Sequence, residues 1–429
     1  MSAPETQRPA KLVTLRLPIW WTFGGLVTGL IAGSLIAGQP VAERILPVVQ
    51  PVGTLWLRAL QMTIIPLVAA LLVLGITQLA SAARAGATAR RMLTLVAATL
   101  VFSGLATIIA LPLLLDAIPP PPGAQSLLAE NVDPQQVPGL AEFFLSLVAP
   151  NIVAAAAETA MLPLTIFFAL FAVAITRLPE DQSVILRSFF EAVANAMLMV
   201  IGWVLWLAPV GVFALALGVA VRAGGDAAFL TLIHYILSVA AMGGIVLVAA
   251  FAVGAVRHGP VAFARAMLPA QAVAISTQSS LASLPAMLAS ARRLDVSENV
   301  ADFVLPLSVA IFRATSPAMN LGVAIYVAHL FGIELGLPAM LAGLAVAFVI
   351  SIGSVSLPGS ISFVVSIGPI ALAMGVPVEP LALLVAVEMI PDIMRTLANV
   401  TADVALASAT DRENGENTPD DATDGAPAR

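Results

Sequence analysis

The chain has 429 residues, of which 60% are hydrophobic and 10% are charged, against about 25% charged in an ordinary soluble domain. A soluble fold cannot cover that much apolar surface, so the composition predicts a membrane protein. Much of the formal net charge of −6 lies in the polar segment Asp411–Arg429, and no basic patch marks a nucleic-acid partner. The chain has no cysteine, which excludes disulfides, thiolate metal sites and cysteine nucleophiles.

The first half of the chain predicts six membrane segments. Residues 1–16 are polar and are predicted to be a cytoplasmic N-terminus. The apolar run that follows is too long for the core of a signal peptide, so we interpret it as a retained span. About 20 apolar residues cross a bilayer as a helix. The candidate spans are Leu17–Ala37, Val52–Ala80, Met92–Ile118, an interrupted Phe143–Ile175, Val184–Val219 and Phe229–Val256.

Two later apolar segments, Ala262–Ser290 and Pro338–Gly375, are broken near the middle by TQSSLASLP and SIGSVSLPGSIS. A polar break at membrane depth is tolerated only where it is buried in protein or lines a water-filled cavity. Two such breaks in corresponding segments indicate the binding site of a transporter. The remaining spans are Asp302–Leu330 and Leu381–Ala407, and residues 411–429 are predicted to be a disordered tail. The predicted fold is all-α, with eight transmembrane helices plus two re-entrant helical hairpins.

Arginine positions predict the orientation. Arginines follow the even-numbered spans and the first broken segment, whereas the stretch 116–142 and the connection near 332–338 have neither lysine nor arginine. The exceptions are Arg44, Arg58 and Arg222. The positive-inside rule then places both termini in the cytoplasm of a multi-pass protein of the inner (plasma) membrane.

The last span concentrates charge where lipid disfavours it. A charged side chain at the bilayer centre costs at least ~2.5–3.5 kcal/mol on insertion scales, so each is a functional candidate. Polar residues recur there at spacings of three and four, largely along one helical face: Glu388, Asp392, Arg395, Thr396, Asn399 and Asp403. One interpretation is a structural stripe of salt bridges. The Thr and Asn between the charges favour a face that binds a zwitterion or a cation.

The preceding span and the serine-rich breaks add further candidates. Arg313 precedes Pro317, which predicts a helix break around residues 314–317. An arginine at such a break needs an anionic partner, and Glu388, Asp392 and Asp403 are available. The serine turns either cap short helices or meet a carboxylate through free N–H groups at helix N-termini, and both uses are compatible.

Five segments in the correct order resemble the dicarboxylate/amino acid:cation symporters, the family that includes the glutamate transporters. They are ALQMTIIPLVAALLVLGI (59–76), FFEAVANAMLMVIGWVLWLAPVGVFAL (189–215), SSLASLP (279–285), SIGSVSLPG (351–359) and PDIMRTLANVTAD (391–403). The resemblance implies a homotrimer in which a transport domain slides against a fixed scaffold. Residues 17–256 would supply the trimerisation scaffold plus part of the transport domain, and residues 257–410 the transport core of two hairpins and the last two spans.

The resemblance also implies roles for single residues. Arg395 would pair with a side-chain carboxylate of the substrate, Asp392 would bind an α-ammonium group, and Thr396 and Asn399 would hydrogen-bond the substrate. The tips of the hairpins would close around it. The implied substrate-binding set is completed by Ser279, Ser280, Ser316, Leu357, Pro358 and Gly359. An ammonium ligand beside an arginine favours an acidic amino acid over a plain dicarboxylate.

The chain departs from the family where the seventh span carries Asn-Met-Asp-Gly-Thr, whose Asn and Asp help to bind sodium. Phe312, Arg313 and Ala314 stand at the first three of these positions, and Thr315 and Ser316 at the last two. Our hypothesis is that Arg313 replaces a bound cation by pairing with Asp403 or Glu388. Proton coupling through Glu388 or Asp403 is the alternative, and carbonyls around Ser351–Ser354 leave room for a partial sodium site.

The sequence thus predicts a secondary active transporter of glutamate or aspartate, of elevator type, with altered or absent sodium coupling. The alternatives are a cation- or proton-coupled C4-dicarboxylate transporter and a substrate exchanger. Sodium or a proton as the coupling ion is the only cofactor expected, and the partners are a small anion, the bilayer and two further copies of the chain. A channel would need a continuous polar path, whereas the polar residues cluster in the last four segments. A receptor would need a folded soluble domain, and the sequence predicts none. An intramembrane serine hydrolase would need a histidine or lysine near its serines.

Overall fold

The computed structural model describes residues 19–83, 86–121, 145, 147–223, 225–353 and 359–411, and in this part of the chain every regular element is a helix. The helices are α1 Ile19–Ile36, α2 Pro40–Gln61, α3 Ile64–Ala83, α4 Ala87–Ala117, α5 Ile152–Ala157, α6 Met161–Ile175, α7 Glu180–Trp206, α8 Ala208–Ala223, α9 Gly225–His258, α10 Pro260–Thr277, α11 Ser280–Arg293, α12 Glu298–Ile311, α13 Ser316–Leu330, α14 Leu337–Gly353, α15 Gly359–Ala373, α16 Leu381–Leu384 and α17 Met389–Thr410.

Five helical stretches of this part are long and apolar enough to cross a membrane. They are Pro40–Ser81, Ala87–Ala117, Glu180–Trp206, Phe229–His258 and Glu298–Leu330. Four shorter apolar helices accompany them, among them Trp21–Ile36 and Leu337–Ile352. A chain with this many apolar helices is a multi-pass membrane protein. The predicted N-terminal segment and most of the polar tail lie outside the described residues.

Two predicted spans need correction. The second begins at Pro40 rather than Val52, since a proline in the first helical turn loses no hydrogen bond, and it is interrupted at Met62 and Thr63. The predicted span Val184–Val219 is two helices, α7 and α8, which meet at Leu207. Pro209 stands in the first turn of α8, where a proline loses no helical hydrogen bond.

The predicted break in the seventh span is present but lies slightly earlier than predicted. Helix α12 ends at Ile311, Phe312 is extended with φ −119° and ψ 124°, and α13 begins at Ser316. Pro317 occupies the first turn of α13, so it starts the second helix instead of ending the first. Arg313 therefore lies in the non-helical connection between the two helices.

The first serine-rich break joins two helices that pack against each other, α10 and α11. Gln278 adopts a left-handed conformation with φ 50°, and the Ser279 hydroxyl accepts a hydrogen bond from the Ala282 N–H at 3.2 Å. Helices α14 and α15 form a second pair, and residues 354–358, which include the second predicted tip, are outside the described ones.

Helix α17 lies at the centre of the C-terminal half. It packs along α9 and also contacts α4, α10, α11 and α12. Its far end is anchored: the Asp411 carboxylate accepts a hydrogen bond from the Ser297 N–H at 2.8 Å, and its carbonyl accepts one from Arg257. Asp411, which the sequence analysis assigned to the tail, is therefore buried, because it closes the end of this helix.

Helices α1 and α8 approach each other closely along a stripe of small residues. A Cβ built on Gly25, Gly29 or Gly33 would lie within 2.6 Å of a backbone oxygen of α8. Small residues allow such backbone contact between helices where lipid provides no hydrophobic drive for association. Helices α1, α2 and α8 pack together, whereas α17 packs mainly on α9 to α12 and on α4.

Candidate functional site

The polar residues of the last span are all buried. Helix α16 ends at Leu384 and a turn brings the chain to Glu388, which immediately precedes α17. Spacings of three and four then carry the polar side chains along the helix. At most 7% of the surface of each is exposed: Glu388, Asp392, Arg395, Thr396, Asn399 and Asp403. Ionised groups so deep inside protein must be paired or hydrogen-bonded.

Arg395 is the centre of this cluster. Its Nη2 donates to Glu388 Oε1 at 2.6 Å and its Nη1 donates to Asn320 Oδ1 at 2.8 Å. Its Nε lies 3.4 Å from Asp392 Oδ1. Two carboxylates and one amide therefore occupy all three nitrogens of the planar guanidinium. A guanidinium can bind a carboxylate through two parallel bonds, and at Arg395 a further carboxylate would have to share or displace one of these partners.

The α12–α13 break is tied to α17 by a second set of hydrogen bonds. Asn399 Oδ1 accepts from both the backbone N–H and the hydroxyl of Thr315, each at 3.0 Å. Asn320 Nδ2 donates to Ser316 Oγ at 3.0 Å. These bonds satisfy polar groups that a broken helix would otherwise leave unpaired inside protein. The predicted residues Ser316 and Asn399 are thus brought next to the arginine cluster.

Arg313 lies among the charges of α17. The negative charges of Asp392 and Asp403 attract its guanidinium, whereas the positive charge of Arg395 repels it. Of the two partners named in the sequence hypothesis, Asp403 is near Arg313, whereas Glu388 hydrogen-bonds Arg395.

The Asp403 carboxylate is enclosed in protein. The Ser308 hydroxyl lies beside it but donates to the Leu305 carbonyl at 3.0 Å. Within the described residues no group donates a hydrogen bond to either Asp403 oxygen. The Ser308 hydroxyl and the positive charge of Arg313 are therefore the stabilising neighbours that the structure describes for this carboxylate.

The hairpin residues are only partly placed. Ser279 caps α11, and its backbone N–H donates to Thr277 Oγ1 at 3.3 Å, so its hydrogen bonds are local. Ser280 begins α11 and Gly359 begins α15. Ser351 is buried and donates to the Ala347 carbonyl at 2.6 Å. Ser354, Leu357 and Pro358 lie outside the described residues.

Two side chains that the sequence analysis did not select belong to the cluster. Asn320 accepts a hydrogen bond from Arg395 directly, and its signal in the sequence was an amide in a mostly apolar helix. Tyr235 of α9 is fully buried and interacts electrostatically with Glu388 and Arg395. It is one of two tyrosines in the chain, which alone would not have identified it. Among the described residues no group of three histidine, aspartate or glutamate side chains could hold a metal ion.

Comparison with known families gives a match over nearly the whole chain. The model of the sodium:dicarboxylate symporter family matches residues 19–413. The chain belongs to the sodium:dicarboxylate symporter family. It is a membrane transporter and not an enzyme, as the sequence predicted.

Individual relatives of this symporter family are similar along most of their length. A proton/sodium-glutamate symport protein of Bacillus subtilis (strain 168) is 29% identical over 406 residues, which cover 90% of each chain. A proton/glutamate-aspartate symporter of Escherichia coli (strain K12) is 27% identical over 409 residues, again 90% of each. The human neutral amino acid transporter A is 26% identical over 455 residues, or 94% of this chain and 83% of the relative.

Membership of the symporter family accounts for the cost of the buried cluster. A bundle that needs only to be stable gains little from buried ion pairs, because apolar side chains of similar volume pack as well or better. A carrier needs groups that hold an ion inside the bilayer. The arginine cluster on α17 is the strongest candidate for that site.

Proposed function

We propose that this chain is a secondary active transporter of acidic amino acids, glutamate or aspartate, across the plasma membrane. The observation that carries the proposal is the buried Arg395 with Asp392 Oδ1 3.4 Å from its Nε. A guanidinium binds a carboxylate and a carboxylate binds an ammonium group, so one turn of α17 offers both ends of a zwitterion a partner. Glutamate and aspartate also appear in the names of the bacterial relatives.

The second candidate is transport of a C4-dicarboxylate, or exchange of two such substrates. Arg313 favours it, because a second guanidinium near Arg395 adds positive charge that suits a dianion. The family name, with its dicarboxylate, supports the same candidate. A substrate without an amine would leave Asp392 to pair with the two arginines alone.

We further propose an elevator mechanism in a homotrimer of eight spans and two re-entrant hairpins. Helices α1, α2 and α8 contact one another and α7 contacts α2 and α8, whereas α17 is surrounded by α9 to α12 and α4. This grouping supports a scaffold within residues 17–256 and a transport core within 257–410, with α9 joining the core. Ser279, Ser280 and Gly359, at the starts of α11 and α15, would lie at the tips that close over the substrate.

For coupling, we propose that Arg313 supplies part of the positive charge that a coupling cation provides elsewhere in the family. The names of the family and of its relatives support cation coupling. Asp392 and Asp403 still need a counter-charge, and a guanidinium stays charged at any relevant pH. Transport would then need less sodium or none, with proton coupling through Glu388 or Asp403 as the alternative.

Uptake into liposomes tests the proposed function. Purified full-length protein is reconstituted, and uptake of labelled L-glutamate, L-aspartate and succinate is compared for the wild type and Arg395→Lys. We expect saturable uptake of an acidic amino acid, and a rise in KM of about tenfold or more in Arg395→Lys, since a lysine cannot form the two parallel bonds. Arg292→Lys, at an exposed ion pair with Glu298, should transport as the wild type does.

The same panel separates the candidates. Uptake of succinate in preference to both amino acids would replace the proposal by dicarboxylate transport. No uptake of any of the three, or an unchanged KM in Arg395→Lys, would contradict the assignment of the site.

A further inference from the structure

Tyr235 of α9 places a hydroxyl group inside the protein without a described partner. The residue has 0% of its surface exposed, and its ring contacts the Tyr326 ring edge-on at 5.4 Å between centroids. In the described part of the chain its hydroxyl has no hydrogen-bond partner. Burying a hydroxyl without a hydrogen-bond partner destabilises a fold, so such a group needs a structural or functional explanation.

The surroundings of this hydroxyl are charged. Helix α9 packs along α17, and Tyr235 interacts electrostatically with Glu388 and Arg395. Glu388 Oε1 accepts from Arg395, but no described group donates to Glu388 Oε2. A donor without an acceptor thus lies near an acceptor without a donor.

Substrate binding would disturb the Glu388–Arg395 pair. In the described arrangement the guanidinium is shared among Glu388, Asp392 and Asn320. If Arg395 binds a substrate carboxylate, the hydrogen bond from Arg395 to the Glu388 carboxylate is weakened or broken. A buried carboxylate that loses its only partner is strongly destabilised, so the exchange needs a substitute donor close by.

We propose that Tyr235 is a positioning residue of the transport site, whose hydroxyl donates a hydrogen bond to the Glu388 carboxylate when Arg395 turns to the substrate. The inference rests on the proposed function, because it requires Arg395 to bind an anionic substrate. A phenolic O–H bound to a carboxylate is a charge-assisted hydrogen bond, which is the strong kind. Tyr235 would thereby lower the cost of releasing the guanidinium and tighten substrate binding without touching the substrate.

The test is a double-mutant cycle on full-length protein in detergent. The Kd for L-glutamate and for L-aspartate is measured by calorimetry for the wild type, Tyr235→Phe, Glu388→Gln and the double variant. We expect Tyr235→Phe to weaken binding about tenfold in the wild-type background and less than twofold in the Glu388→Gln background. KM for uptake should rise by the same factor while the maximal rate stays within about twofold.

Tyr326→Phe is the matched control. Its hydroxyl donates to the Thr231 carbonyl at 3.3 Å and contacts His234, away from the charged cluster, so the Kd should stay within about twofold of the wild type. An unchanged Kd in Tyr235→Phe would overturn the inference. So would an equal loss in the Glu388→Gln background, which would indicate a direct contact with substrate or a purely structural role. If the wild type bound neither amino acid, the proposed function itself would fail.

Discussion

Arg313 departs from the pattern that the family resemblance implies for the seventh span. It stands in the connection between α12 and α13, where the family's seventh span carries oxygen ligands for sodium. Its charge meets two carboxylates of α17, Asp392 and Asp403. A covalently attached cation cannot dissociate, so under the proposed coupling Arg313 would compensate these carboxylates throughout a transport cycle, whereas a bound ion would have to enter and leave.

The prediction is that glutamate uptake by the wild type persists when choline replaces sodium. Arg313→Met should lower uptake in sodium-free medium about tenfold or more, because it removes the cation near the buried Asp403 and leaves Asp392 with Arg395 alone. The measurement is the initial rate of glutamate uptake into liposomes, taken in sodium medium and in choline medium for each variant. Arg265→Met, at an exposed position of α10, is the control and should leave the rates unchanged. Strictly sodium-dependent uptake that Arg313→Met does not alter would reject the idea.

The polar residues of α17 were predictable from the sequence, but their partners were not. The polar residues from Glu388 to Asp403 recur every three or four positions, and this spacing predicted that they share one face of the helix. Asn320, whose amide oxygen accepts the hydrogen bond from Arg395, is 75 residues away in the chain, and Tyr235 is farther still. Such contacts depend on how helices pack, and no local pattern encodes them.

At the scale of helices, the glycine stripe of α1 sets how closely α1 and α8 approach. A methyl group on Gly29 would meet the Phe213 carbonyl oxygen at 2.6 Å, and a backbone atom cannot swing aside as a side chain can. A Cβ on Gly24, five residues earlier, would meet nothing within 4 Å.

We therefore expect Gly29→Ala to destabilise the protein by roughly 1–3 kcal/mol through overpacking. Gly24→Ala is the control, and it should be neutral or slightly stabilising because alanine favours a helix over glycine. Thermal unfolding in detergent, followed through the fluorescence of the five tryptophans, compares the two midpoints. A midpoint for Gly29→Ala at or above that of Gly24→Ala would show that the helices separate easily.

Helix breaks divide into those that the sequence indicated and those that it concealed. Pro317 and the TQSS segment marked the α12–α13 and α10–α11 connections, since proline and serine disfavour a continuous helix. The interruption at Met62 and Thr63 has no such marker, and the chain there reads as one apolar span. Its cause is tertiary, because α2 packs on α8 while α3 packs on α6 and α7.

For the molecule as a whole, the proposed orientation follows from where the arginines stand. Helix α4 has Arg90 and Arg91 in its first turns and ends at Ala117, so its two ends would face opposite sides of the membrane. The connection at Arg177, between α6 and α7, would return to the cytoplasm.

Thiol labelling in whole cells tests this orientation, and the absence of native cysteine makes every introduced thiol unique. A membrane-impermeant maleimide should label Pro119→Cys and leave Arg177→Cys unlabelled until the cells are opened. Both positions are exposed on the protein, so accessibility depends on the side of the membrane. Labelling of Arg177→Cys in intact cells would reverse the proposed topology.

The sequence by itself determined that this is a helical membrane transporter, because length, apolar content and buried charge are properties of the chain that the bilayer constrains directly. It also determined which face of the last helix carries the ionic groups. Only the tertiary structure decided that Arg395 is held by Glu388 and Asn320, that Arg313 lies near Asp392 and Asp403, and that Tyr235 borders the cluster. These facts depend on distances between helices remote in sequence, which packing fixes and no local periodicity records.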